Sequence, residues 1–449
     1  MTNVKWTLSA FVLLLCLSLP STEAATDRGH AWIRSRPFTT AALVLGDKTF
    51  DAAQYGRVCN TLLAWKPRDS LFARAAAADM PWHGHAKPRR FNPGDDPERN
   101  VRFGNVMKDR IRQIQTTHAG GTGWLVWDEP QRTSMPIAAD IAKWIRENFP
   151  EALVYTNGLP MGARRPSKYY GEEPPGGKYP YDQYVQDLVD IIQPDVVGFD
   201  LYPFKEDGGT GNQFPTVAIT RRVALKAGIP YWAIVQAYRD EGRGYRMPSE
   251  SDVRMQVFSL LAHGYTGITY FTYDPAQGPA MVDRERKAAP IYYHVAQLNH
   301  EVENVGQALR FLTSTDVRIV PCNGNSAPAH TVPWAPGAGG ESRIEAISIT
   351  DTAPAPWKDV MVGFFEDDDG RRYVMVTNLW HGKGAAAHER PITVRIRLAN
   401  DVKHVGRLAR ETGRPELLVV RDGVLELTLP GGTGDLLRLG DATFPGLEP

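Results

Sequence analysis

Between residues 39 and 274 the hydrophobic pattern switches repeatedly from a short apolar or β-branched run to a helical spacing. Apolar residues recurring every 3.6 positions build one buried helix stripe, whereas a short continuous apolar run fits a strand covered on both faces. Strands are expected over 41–45, 60–65, 80–85, 124–127, 153–156, 196–201, 231–235 and 267–271. Helices are expected over 52–58, 70–78, 100–117, 137–148, 181–192, 216–226 and 251–263. Local punctuation agrees. Ser249 and Ser251 precede Asp252, which places hydroxyl caps and an acid at a helix start. Lys226-Ala227-Gly228 before Pro230 is a helix stop. Eight strands alternating with helices over roughly 235 residues have the size and rhythm of an α/β fold of the (β/α)8 TIM barrel type. An open doubly wound sheet would carry a Gly-rich phosphate-binding turn after an early strand, and the sequence has none.

The rhythm changes after the eighth strand. Residues 291–312 read as one long amphipathic helix, and 323–342 as a Pro/Gly/Ala-rich loop. Strands without helices follow over 343–349, 360–366, 372–378, 392–398, 417–420, 424–429 and 436–439, the pattern of a small antiparallel β-sandwich. Asp367-Asp368-Asp369-Gly370 is a hairpin turn, and it lacks the closing Glu of a calcium loop. At the N-terminus Lys5 precedes an apolar run over 10–19, then Pro20 and the small residues around Ala24. That order is a secretory signal, and the run is shorter than the ~20 residues needed to span a bilayer. The expected organisation is a signal over 1–24, a barrel over 38–313 and a sandwich over 314–449, in a secreted or periplasmic protein with no membrane attachment after cleavage. Cys59 and Cys322 then remain and are read as separate thiols. Lys+Arg and Asp+Glu both total 51, so the excess of cations that a nucleic-acid partner requires is missing. Nothing in the sequence speaks to oligomeric state.

Barrel chemistry sits at the C-terminal ends of the strands. Read in order, those ends supply Asp47, Trp65, Trp82-His83-Gly84-His85, Trp127-Asp128-Glu129-Pro130 and Asn157. They continue with Asp200-Leu201-Tyr202, Gln236-Ala237-Tyr238 and Tyr270-Phe271-Thr272-Tyr273-Asp274. Aromatic rings stack on the apolar faces of sugars, and carboxylates bind hydroxyls and move protons. The set fits a carbohydrate substrate better than a phosphorylated one, which would call for Gly-rich amides or Arg. Trp65, Trp82 and Trp127 are the expected stacking rings. His83, His85, Asn157, Tyr202, Gln236, Tyr238, Tyr270, Tyr273, Asp274 and Asp47 are the expected sugar-binding groups. No metal and no cofactor is assigned.

The sharpest signal is Trp127-Asp128-Glu129-Pro130. A carboxylic acid there can protonate a glycosidic oxygen if apolar walls or a neighbouring carboxylate raise its pKa. Adjacent strand residues face opposite ways, so Asp128 and Glu129 both reach the mouth only if the strand bends. Asp-Glu-Pro is also a common helix start, and that plainer role competes. The motif resembles the clan A glycoside hydrolases, barrels whose fourth strand ends in an Asn-Glu-Pro-like motif carrying the acid/base. Gly363-Phe364-Phe365-Glu366 and the run from Leu429 to Leu437 resemble sandwich domains that trail such barrels. The resemblance implies Glu129 as acid/base, with Asp128 in place of the usual Asn. It also implies a nucleophilic Glu at the end of strand seven, where this chain has Gln236. Three readings stay open. Asp200 serves as the second carboxylate. The Asp128-Glu129 pair acts as in substrate-assisted N-acetylhexosaminidases. Or the barrel binds glycans without cleaving them.

Overall fold

The computed structural model describes residues 23–86, 96–162, 169, 180–208, 211–323, 325–351 and 353–447. Residues 1–22 of the signal expected over 1–24 lie outside the described residues. Eight parallel strands close into a barrel in sequential order. They are β1 (Thr39–Val44), β2 (Thr61–Ala64), β3 (Trp82–His85), β4 (Gly121–Asp128), β5 (Leu153–Gly158), β6 (Val196–Leu201), β7 (Tyr231–Gln236) and β8 (Gly267–Phe271). The helices are α1 (Glu23–Arg34), α2 (Ala52–Tyr55), α3 (Asp69–Ala77), α4 (Pro97–Thr117), α5 (Met135–Asn148), α6 (Tyr181–Asp187), α7 (Gln213–Ala227), α8 (Glu250–Ala262) and α9 (Pro290–Leu309). The expected cap of α8 is present as a capping box, with Ser249 and Asp252 satisfying each other's backbone N–H groups.

Side chains fill the barrel in layers. The lower layer holds Leu125, Leu153, Tyr155, Val196 and Trp232, and the upper one Ala41, Leu43, Leu63 and Ile234. Helix α1, where no element was expected, plugs the N-terminal end by inserting Ile33 and Trp32 against the lower layer. Its Arg28 and the Arg146 of α5 both bond Asp195, which also accepts the Val154 N–H of β5. A buried carboxylate is thus doubly paired where α1 meets the sheet.

The C-terminal region is a sandwich, as expected. A three-stranded sheet, β10 (Ile344–Ile349), β13 (Ile392–Leu398) and β16 (Val424–Leu429), faces a six-stranded one. The latter runs β15 (Pro415–Val419), β14 (His404–Leu408), β17 (Gly434–Leu439), β12 (Arg372–Asn378), β11 (Val360–Glu366) and β9 (Thr313–Val320). Two of these strands, β9 and β14, were not expected, because β9 lacks clean alternation and β14 is only five residues long. Strand β11 is buried on both faces. Its inner face joins the sandwich core, and its outer face lies on α8, so closely that a Cβ on Gly363 would collide with the Ala262 carbonyl. The interface also holds buried charges. Arg254 bonds Glu250 and Glu301, and Arg410 bonds Asp435 and pairs with Glu301. The Asp367–Gly370 turn is closed by the Asp367 carboxylate, which accepts from the Asp369 and Arg371 N–H groups. Cys59 and Cys322 are separate buried thiols. Among the described residues no helix is long and apolar enough to cross a membrane.

Candidate functional site

A cavity of about 360 Å³ opens at the C-terminal mouth of the barrel. Asp128, Glu129 and Asp200 all line it, together with Trp65, Tyr202 and Tyr238. Two local features let the consecutive acids of β4 share this cavity. First, the β4–β5 register slips between Leu125 and Trp127, so one extra residue sits in β4. Leu125 faces the barrel interior, but after the bulge Trp127 packs outward against Phe103 of α4, and Asp128 turns inward. Second, Glu129 takes a left-handed backbone, φ 47°, rare for a residue with a Cβ. Its N–H still bonds the Asn157 carbonyl at 2.8 Å, which anchors it to β5. The bend that two neighbouring acids required is therefore a bulge followed by one left-handed residue.

Asn157 organises the acids. Its amide nitrogen donates to Asp128 Oδ1 at 2.9 Å and to Asp200 Oδ1 at 3.3 Å. One nitrogen thus ties the two aspartates into a single hydrogen-bonded cluster. Asp200 is 8 % exposed. Burial, and then the charges of Glu129 and Asp128, push its carboxyl well above the usual carboxylate range, against the lowering effect of bonds from Asn157 and Tyr202. Tyr202, Tyr238 and Phe271 form an aromatic wall, with ring centroids 4.8–5.2 Å apart. Trp65 lies over His85, stacked at 4.2 Å.

Several expected contacts are corrected. Trp82 opens β3 instead of ending it, and it packs outward against Phe72 and Trp124. Trp127 is turned outward by the bulge, so neither ring meets a sugar. His83 and His85 face the barrel interior, where their rings stack on Trp232 and Trp65, and neither lines the cavity. His83 stacks on Trp232, bonds the Tyr155 hydroxyl, and is lowered to about 3 by burial and then by Arg36. Tyr270 points outward to Asn299 of α9, and Tyr273 packs on Tyr55. Asp274 is a brace: it accepts from the Leu45 and Gly46 N–H groups and from Thr49. Asp47 is engaged by Arg68 and Ser70, outside the cavity.

Gln236 is the most instructive correction. It is fully buried and does not line the cavity. Its Oε1 accepts from the Phe204 N–H, and its Nε2 donates to the carbonyls of Arg246, Phe204 and Tyr238. It fastens the loops after β6 and β7 together. Strand β7 meets the cavity through Ile234, followed in its loop by Tyr238. Lys66 and Arg243 also line the cavity and were not anticipated. Lys66 directly follows the strand-end Trp65, which is the one signal that points to it; Arg243 sits in a loop with none. Among the described residues no group of three or more His, Cys, Asp or Glu is arranged to hold a metal ion.

No family model matches the chain, and no curated protein matches it. Solved structures do resemble it loosely. One is a glycoside hydrolase of family 5 from Bacteroides vulgatus, 11% identical, TM-score 0.43, covering 92% of this chain and 91% of its own. Another is an alpha-L-fucosidase from Bacteroides thetaiotaomicron, 9% identical, TM-score 0.42, covering 92% and 84%. A Thermobacillus composti xylanase is 14% identical with a TM-score of 0.40, covering 59% and 98%. Likeness at this level is too loose to transfer an activity. The barrel and sandwich stand on the strand pairing itself.

Proposed function

We propose that the chain is a glycoside hydrolase that cleaves O-glycosidic bonds of a poly- or oligosaccharide, with Glu129 as general acid/base. One observation carries the reading: three carboxylates from the ends of β4 and β6 converge on one aromatic-walled cavity at the barrel mouth. Glu129 gives its proton to the glycosidic oxygen as the C–O bond breaks, then takes one from the attacking water. Asp128 stabilises the positive charge that develops on the sugar ring. Asp200, its carboxyl pushed up by burial and by the two neighbouring acids, is the second carboxylate of the site. Trp65 stacks on a ring. The N-terminal segment over 1–24 directs export in this reading.

A second reading has a specific observation in its favour. Strand β7 and its loop present Ile234 and Tyr238 to the cavity and no carboxylate. Substrate-assisted cleavage needs none, because the acetamido oxygen of the sugar attacks, Asp128 orients it and Glu129 is the acid. Aryl glycosides with and without an N-acetyl group separate the two: equal turnover refutes assistance. Glu129→Gln tests both. An acid/base variant is expected to lose about 10²–10⁴-fold in kcat/KM. Hydrolysis at the wild-type rate overturns the assignment, and tight glycan binding with no turnover by wild type shows a binding protein instead.

A further inference from the structure

The cavity is not uniformly acidic. Its carboxylates come from the ends of β4 and β6, whereas Lys66 follows β2 and Arg243 lies in the loop after β7. In the closed order of the barrel, β2 and β7 are separated by β1 and β8, on the side away from β5 and Asn157. Lys66 thus stands two strands from the β4 acids and Arg243 beside the strand that carries Asp200, so the cations flank the acids around the mouth. Lys66 is half-buried and makes no ion pair with any described carboxylate. Arg243 is held by Asp240, at 3.6 Å, with most of its side chain exposed to the cavity entrance. A lysine partly withdrawn from water without a partner carries a desolvation cost, and an incoming anion would repay it. A neutral sugar offers nothing for that charge beyond hydroxyl groups.

We propose that the substrate carries an anionic group on the ring bound in this cavity, a uronic acid carboxylate or a sulfate ester, received by Lys66 and Arg243. The proposal rests on the glycoside hydrolase reading and names the substrate class of that same site. Charge supports it in two ways. The acids at the ends of β4 and β6 repel an anion, so its group is directed to the cavity's cations and the scissile bond to Glu129. An ammonium or guanidinium N–H also gives an anion a charge-assisted hydrogen bond, about twice as strong as one to a neutral hydroxyl.

The test compares aryl glycosides of neutral hexoses, of the matching hexuronic acids and of 6-sulfated hexoses, in both anomers, with wild type, Lys66→Gln and Arg243→Gln. The expected result is a kcat/KM preference for one anionic series. That preference should fall by about 10-fold or more in each variant, through KM, with kcat little changed. Lys66→Arg should restore much of it, and added salt should erode it. The carboxylate and sulfate arms show which anion is taken. Equal or better turnover of the neutral series, or variants that leave the preference intact, overturns the proposal while hydrolysis stands. If no glycoside is hydrolysed, calorimetry with oligouronates, sulfated oligosaccharides and neutral oligosaccharides decides separately. Salt-sensitive binding of an anionic set that is lost in Lys66→Gln sustains the anionic site without the hydrolase. Binding of neutral oligosaccharides alone, or of none, overturns it.

Discussion

Gln236→Glu restores the residue that a retaining barrel of the resembled kind carries at the end of strand seven. The structure predicts that it destroys stability instead of improving catalysis. The Gln236 Nε2 is 2.8 Å from the Arg246 carbonyl and 3.3 Å from those of Phe204 and Tyr238. A carboxylate in its place has no proton to donate and faces three carbonyl oxygens at full burial. Losing a buried donor costs about 1–3 kcal/mol per acceptor left unsatisfied, so two lost N–H groups cost about 2–6 kcal/mol. A domain has only ~5–15 kcal/mol in total. The introduced carboxyl relieves part of this by staying protonated, which keeps one donor and raises its folded pKa above the unfolded ~4.3. The sign follows. The variant is least penalised below pH ~4 and loses more stability as pH rises through the folded value. Urea unfolding of variant and wild type between pH 4 and 8 measures this, with aryl glycoside turnover alongside. Wild-type stability at pH 7 together with a gain of retaining hydrolysis would refute the placement of Gln236 outside the cavity.

Three further predictions concern the site and its support. Asp200, with a folded pKa raised by burial and by Glu129 and Asp128, contributes stability that is present below its unfolded pKa of ~3.9 and lost as pH rises through the folded one. Asp200→Asn should therefore melt progressively higher relative to wild type as pH rises from 4, and a constant difference in Tm contradicts the raised carboxyl. Trp65→Ala removes the stacking surface over His85, and KM should rise about tenfold with a smaller change in kcat, since a stacked ring is worth about 1 kcal/mol or somewhat more. Arg254→Met leaves Glu250 without its partner and Glu301 with Arg410 alone, and should cost about 3 kcal/mol by denaturant unfolding, with part recovered in Arg254→Met/Glu301→Leu. If the double variant is as unstable as the single one, the charges are not the cause.

The alternation of strand and helix periods was legible because it is local. A strand covered on both faces needs a continuous apolar run, and a helix on its surface needs a stripe. The ranges of β6, β8, β11, β12, β13 and β16 are those expected residue for residue. The convergence of Asp128, Glu129 and Asp200 was legible too, because strand ends in a barrel meet at one mouth. Trp82 and Trp127 were misplaced for a different reason. Which way a side chain faces depends on register, and the register of β4 slips on β5 at a bulge that no sequence period announces.

Sequence by itself determined the kind of molecule: a barrel and a sandwich, with acids and aromatic rings at the strand ends. Tertiary structure alone decided which of those side chains share a cavity. It turned Asp128 inward through a bulge, held Glu129 in a left-handed backbone, and took Gln236 out of the mouth by giving its amide four backbone bonds. It also brought Lys66 and Arg243, 177 positions apart, to one cavity. Periodicity reports which face of an element is apolar. The partners of a buried polar group come from loops distant in the chain, and only the closed barrel brings them together.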